Sequence, residues 1–245
     1  MINIFHVHTY RCQHADNVAD EEYVKAALEI SAGKITFTDH APFPGDPFQN
    51  RMKMSELEEY LDSINSLKAK YEGQIEVVAG LEIEYLPSFK SYYEDLRGNK
   101  KISVMMIGQH FFEKSSGIYS FSDDPEEKKR SEAEGCGKAI IQGMKSGVFD
   151  VVAHPDGIFR RKKDWDSDME KMSLSIIKTA RETNVVLEDN LTSRLVKGKL
   201  FYRPEFWKLC EEQGDIKTIT GLDAHSPAFI NEVWKQICKL TESYY

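Results

Sequence analysis

Seven short runs rich in Val, Ile, Phe and Thr punctuate this chain, and most are separated by stretches whose apolar residues recur at helical spacing. The runs cover residues 2–8, 34–39, 75–85, 102–110, 149–154, 185–190 and 217–223, with the β-branched and aromatic content that buried strands favour. Helical periodicity marks residues 21–30, 55–71, 125–145, 167–183, 204–213 and 226–240. Strands that alternate with helices predict a largely parallel α/β fold. Periodicity alone leaves an open doubly wound sheet and a closed barrel both allowed. Ser55 followed by Glu58 has the form of a capping box, and Pro204 and Pro227 suit first helical turns. Gly33, Gly73, Gly147 and Gly214 each follow a helical run, where a left-handed cap is expected. The 245 residues contain no Pro/Ser-rich linker, low-complexity tract or fixed-period repeat, so one domain spanning 1–245 is expected.

Composition narrows the function. The formal net charge is −8 and the Lys and Arg residues are scattered, whereas binding a nucleic-acid backbone calls for a basic stripe. A small phosphorylated substrate stays open, because bound cations can invert the field of an acidic protein. Cys12, Cys136, Cys210 and Cys238 form no CxxC pair, which fits a reducing compartment better than a disulfide framework. The first residues show no basic segment leading into an apolar one, and no apolar run approaches the roughly 20 residues of a membrane helix. A cytoplasmic protein without membrane partners is expected.

All seven histidines fall at or just beyond the ends of expected strands. His6 and His8 close the first run and His14 follows it. His40 ends the second, His110 the fourth and His154 the fifth, and His225 follows the seventh. Glu82 lies in the third run and Asp223 ends the last. A lone histidine is ordinarily a surface or satisfied core residue, but that reading leaves none for the helices and does not explain the pattern. In a parallel barrel the C-terminal ends of the strands share one mouth, so the histidines favour the barrel over the open sheet. Imidazole with carboxylate suits zinc, iron or manganese. Nine candidate ligands exceed what one tetrahedral ion with an open position can use, so two or three divalent ions are expected.

The carrying segments are His6-Val7-His8-Thr9, Cys12-Gln13-His14-Ala15, Thr38-Asp39-His40-Ala41-Pro42-Phe43-Pro44 and Gly80-Leu81-Glu82-Ile83-Glu84-Tyr85. They continue through Gly108-Gln109-His110-Phe111 and Ala153-His154-Pro155-Asp156 to Gly221-Leu222-Asp223-Ala224-His225-Ser226-Pro227. In this order the chain resembles the PHP (polymerase and histidinol phosphatase) superfamily, and within it the histidinol-phosphatase branch. The resemblance implies a distorted, TIM-like (β/α)7 barrel, lacking one βα unit of the full fold. It further implies three metals: one held by His6, His8, Glu82 and Asp223, a second sharing Glu82 with His110 and His154, and a third taking His14, His40 and His225. Zinc, iron and manganese in varying mixtures are the expected ions. Two segments depart from the family pattern: Gly108-Gln109-His110-Phe111, and Glu188-Asp189-Asn190-Leu191 where Glu-Ile-Asn-Thr is common.

The expected activity is hydrolysis of the phosphomonoester L-histidinol phosphate by a metal-bridging hydroxide, with Asp223, His225 and Arg160 taking part in the chemistry. Arg160 follows the fifth run and is expected to clamp phosphate, since guanidinium matches phosphate oxygens bidentately. Glu84 shares a strand face with Glu82 and is expected either to support a ligand or to meet the substrate's ammonium group. Phe43, in the proline-rich segment after His40, is expected to cover the substrate. Asp39 is expected to support a ligand, and Cys12 to be a neighbour of the metals. The alternatives are another small phosphate ester or an amidohydrolase-type reaction. Glu82 stands where amidohydrolases usually carry a lysine. A non-catalytic metal-binding module would instead close every coordination position.

Overall fold

The structure, a computed structural model, describes residues 2–197 and 201–242, with side chains as far as Gln236 except that of Lys197. In chain order the elements are β1 (Ile2–Val7), α1 (Asp20–Glu29), β2 (Ala32–His40), α2 (Leu57–Lys70), β3 (Glu76–Ile83), α3 (Lys90–Gly98) and β4 (Val104–Ile107). There follow β5 (Glu113–Ser115), β6 (Ile118–Tyr119), α4 (Pro125–Ser146), β7 (Val151–Val152), α5 (Ser167–Thr183), β8 (Val186–Asn190), α6 (Pro204–Gln213), β9 (Thr218–Gly221) and α7 (Pro227–Glu242). One seven-stranded sheet runs β1-β2-β3-β4-β7-β8-β9, and β5 and β6 form a separate antiparallel hairpin. The expected fold class is found: a nearly closed parallel α/β barrel of seven strands. Among the described residues no helix is long and apolar enough to cross a membrane.

Residue contacts gather the chain into two compact units. One comprises Met1–Leu81, Lys100–Val104 and Gly221–Tyr245, the other Glu82–Asn99 and Met105–Thr220. Three of the four divisions fall inside β3, β4 and β9, where a sequence has no linker to reveal them, and the fourth follows α3.

In the first unit β1 and β2 pair in parallel, from Ile2 opposite Ala32 to Val7 opposite Phe37. The chain beyond β9 returns to β1. Leu222 N donates to Phe5 O (2.8 Å), Ala224 N to His6 O (3.0 Å) and His8 N to Ala224 O (2.9 Å). These bonds pair the segment after β9 with β1, whose edge would otherwise be left open on that side. Ile35, Phe37, Leu61 and Ile64 are fully buried, and burying such a side chain contributes roughly 1.5–3 kcal/mol. Tyr60 is buried with them, and its hydroxyl donates to Gly80 O at 2.9 Å.

In the second unit β4, β7 and β8 pair in parallel, and α4 packs along α5. The α4 helix starts on Asp124, whose carboxylate accepts from the amides of Glu126 and Glu127, and ends on Gly147 at φ 76°. The α5 helix is capped likewise by Asp166 and ends on Asn184 in the left-handed region. Such caps occupy amide and carbonyl groups that a helix leaves without partners at its ends.

Some sequence expectations are corrected. The Ser55–Glu58 box does not form; a 3-10 turn (Met54–Glu56) precedes α2, and Glu56 Oε2 accepts from Lys53 N at 2.6 Å. Gly33 lies inside β2, and Ser31 at φ 58° takes the left-handed turn instead. Helix α3 and the β5–β6 hairpin were not expected: α3 is a polar segment of nine residues, and the hairpin strands have three and two. Cys12, Cys136 and Cys210 are buried and in no disulfide among the described residues, while the Cys238 side chain lies outside them.

Candidate metal centre

The first unit brings together His6, His8, His14, His40, Asp223 and His225. Strand geometry explains much of this: His6 and His8 sit at the end of β1, His40 is the last residue of β2, and Asp223 and His225 follow β9. His6 and His8 are fully buried, and their Nε2 atoms stand 2.9 Å apart. Asp223 Oδ1 approaches them at 3.8 and 3.3 Å. Two ring nitrogens and a carboxylate oxygen thus converge on one point. A second trio is His14, His40 and His225, whose ligand atoms all lie within 4.8 Å of one another. The His8 and His225 rings stack with centroids 4.3 Å apart.

Second partners decide which nitrogen each ring presents. His14 Nδ1 donates to Cys12 O (2.7 Å) and His225 Nδ1 to Asp223 O (3.0 Å), since a carbonyl can only accept. Both rings therefore offer Nε2 as a lone-pair donor. The Nε2 of His225 is buried and makes no hydrogen bond among the described residues. Burial, helped by the nearby His8, holds the His225 pKa down to about 3, and burial lowers that of His14 as well. Neutral imidazoles aimed at shared points are the form a divalent ion requires, so these residues fit a metal. Asp39 lies behind His8, with Oδ1 3.5 Å from His8 Nδ1. Its own oxygens accept from the amides of His40 (2.8 Å) and Thr9 (3.2 Å) and from the Thr9 hydroxyl. Arg11 anchors Thr9 in turn, donating to its hydroxyl at 3.1 Å and to Asp20 at 2.9 Å. Cys12 is buried beside His8 and His225, its sulfur within 4.8 Å of a ring nitrogen of each.

The second unit holds Glu82, Glu84, His110, His154 and Arg160. Glu82 Oε1 meets His154 Nε2 at 3.1 Å, and Glu84 Oε1 meets His110 Nδ1 at 3.1 Å. Both carboxylates are 1% exposed. Gly108 gives Glu82 its seat, because a Cβ there would overlap the Glu82 carboxylate. Glu188, buried on β8, accepts from His154 N at 3.0 Å. Arg160 points Nη2 at His110 O (2.8 Å) and at the Glu132 carboxylate.

Not every expected contact is present in the expected form. Of the two roles open to Glu84, the geometry has the carboxylate supporting a histidine rather than standing open for an ammonium group. Phe43 is fully buried, edge-on to Phe48 at 5.0 Å with the Arg51 guanidinium 5.6 Å from its ring centre, so it builds the core of its own loop. Sequence reasoning did not single out Glu132, Glu188, Arg11 or the role of Gly108. It also missed the backbone strain: His6 (φ 70°), His154 (φ 30°) and Asp223 (φ 54°) all adopt the left-handed region, where side-chain-bearing residues cost energy and functional sites collect.

A TIM-like parallel α/β barrel with histidine and carboxylate groups at the C-terminal ends of its strands defines the class of this protein. The chain belongs to the PHP domain family, which matches residues 5–192. It is similar to a "Probable histidinol-phosphatase" of Deinococcus radiodurans, at 28% identity over 91% of this chain and 85% of that one. It is also similar to a histidinol-phosphatase of Bacillus subtilis, at 27% identity over 90% and 92%. Its fold resembles a Listeria monocytogenes crystal structure, with TM-score 0.78, 18% identity and coverage of 96% and 99%. A Lactococcus lactis histidinol phosphate phosphatase, crystallised with zinc, L-histidinol and phosphate, matches with TM-score 0.71, 18% identity and coverage of 97% and 93%.

Proposed function

We propose that this protein is a metal-dependent phosphomonoesterase that hydrolyses L-histidinol phosphate to L-histidinol and phosphate. The observation that carries the reading is the set of neutral, pre-aimed imidazoles beside carboxylates, within a family whose similar members are named for this reaction. Two or three zinc, iron or manganese ions are the proposed cofactors. His6, His8 and Asp223 hold one; His14, His40 and His225 hold another; His110 and His154 serve with Glu82, which the family resemblance makes the shared ligand. When bound, such ions supply Lewis acidity and an activated water at neutral pH.

The chain's own residues do the rest. Asp39 and Glu84 keep His8 and His110 in one ring orientation, so that no reorganisation is needed as charge develops. Asp223 sets the electrostatics beside His6 and His8, and His225 is held neutral. Arg160 contacts the phosphate with the donors not already committed, countering charge on its oxygens in the transition state. The buried cysteines Cys12, Cys136 and Cys210, in no disulfide among the described residues, accord with a cytoplasmic location.

Release of phosphate from L-histidinol phosphate and from p-nitrophenyl phosphate, compared on metal-replete enzyme, tests the substrate. Far higher kcat/KM on the histidinol ester supports the proposal; equal values replace it with a general phosphoesterase. Another small phosphate ester is the second reading, favoured by the engagement of Glu84 with His110.

A further inference from the structure

The turn after β7 is pinned to α6 at several points. Asp156, fully buried, accepts from Arg203 N at 2.7 Å and from Trp207 Nε1 at 3.2 Å. The Arg203 guanidinium reaches back to the carbonyls of Phe159 (3.0 Å) and Lys162. The backbone that carries Arg160 is therefore fixed on both sides. Its side chain is fixed separately, by a residue on another element. Glu132, on α4, is 3% exposed and receives Arg160 Nη2 on one carboxylate oxygen and Arg161 Nε on the other. A buried carboxylate between two arginines is unusual unless the arrangement is fully paired, because an isolated buried charge is costly.

The donor count is informative. Nη2 donates to His110 O, and the same nitrogen forms the ion pair with Glu132 Oε1. Nη1 and Nε of Arg160 make no hydrogen bond among the described residues, so they remain for a ligand. While these bonds stand, the guanidinium cannot present Nη2 as half of a bidentate fork. The charge balance is equally definite: two guanidinium groups against one carboxylate leave a net single positive charge.

We infer that Glu132 is a positioning residue for catalysis, holding the Arg160 guanidinium so that its uncommitted Nη1 meets a phosphate oxygen. This rests on the reading of Arg160 as a phosphate contact. Arg161 shares the same carboxylate from its outer side and balances the pair without touching substrate.

A double-mutant cycle tests the inference, using Glu132→Gln, Arg160→Ala and the combination. The readouts are kcat/KM for L-histidinol phosphate and the inhibition constant of inorganic phosphate, with metal content and melting temperature in parallel. Glu132→Gln is expected to lower kcat/KM about tenfold and weaken phosphate inhibition comparably, with metal content unchanged. In the Arg160→Ala background, adding Glu132→Gln is expected to cost nothing further. Glu132→Asp keeps the charge on a shorter arm and is expected to fall between wild type and the amide. It carries the same cycle if the amide variant does not fold. Losses that multiply across the cycle, with an impaired Arg160→Ala single variant, overturn the positioning role and leave the phosphate contact standing. An Arg160→Ala variant with wild-type kinetics and phosphate inhibition overturns both.

Discussion

The two histidine groups use the same side chain and fix it by different means. In the first unit, His14 and His225 are oriented by backbone carbonyls, and Asp223 and Asp39 bring negative charge to the His6 and His8 rings. In the second, His110 and His154 each face a buried glutamate, and an arginine tied to a third carboxylate stands beside His110. A carbonyl fixes a tautomer at little electrostatic cost, whereas a carboxylate also raises the basicity of the ring it faces. On the proposed reading the first group chiefly retains ions, and the second adds the charge pattern that phosphate chemistry needs. Variants in the two groups should fail differently.

The largest effect is expected at Glu82, whose carboxylate the proposed mechanism shares between ions. Glu82→Gln should lower phosphate release by more than about a hundredfold, beyond the loss typical when a supporting partner is removed. Circular dichroism should remain that of the wild type, because the barrel core does not depend on this carboxylate. A variant with near-normal turnover would show that Glu82 is not a shared ligand. Arg160→Ala comes next, with a loss of about ten- to a hundredfold in kcat/KM and unchanged elemental analysis. If metal is lost along with activity, the arginine belongs to the ion-retaining machinery and the contrast between the groups dissolves.

Much of this contrast could be read in the chain before folding. Histidines at the ends of β-type runs picked out the imidazoles that cluster within each unit, because strand periodicity puts alternate residues on one face. Strand lengths were overestimated, as at β4 and β7, where the strands end at Ile107 and Val152, before the segments that carry His110 and His154. The partners behind the histidines were harder to see. Glu132 is one acidic residue among many on a charged helix, and nothing in its spacing points to Arg160, 28 positions on. Gly108 reads as an ordinary strand-end glycine until the Glu82 carboxylate is found occupying the space of its missing side chain. Phe43 misled in the opposite sense: a phenylalanine in a proline-rich loop suggested a cover for substrate, while its burial against Phe48 stabilises the loop itself.

Two smaller effects sharpen the comparison. Asp39→Asn should weaken metal retention about tenfold, read by competition with a chromogenic chelator, while leaving the KM of metal-saturated enzyme unchanged. A raised KM at saturating metal would move Asp39 toward the substrate. Phe43→Ala should cost about 3 kcal/mol of stability, seen as a lower denaturation midpoint, with KM for L-histidinol phosphate within about twofold of wild type. A stable variant with a greatly raised KM would restore Phe43 as a substrate contact.

The most direct test follows phosphate release from L-histidinol phosphate and bound metal on the same sample, during chelator dialysis and then re-addition of zinc or manganese. Activity should fall in step with the metal bound and return when metal is restored, with the fold retained throughout. Protein shown by elemental analysis to be free of metal, and still turning over at the untreated rate, would contradict a metal-dependent phosphatase built on these histidines.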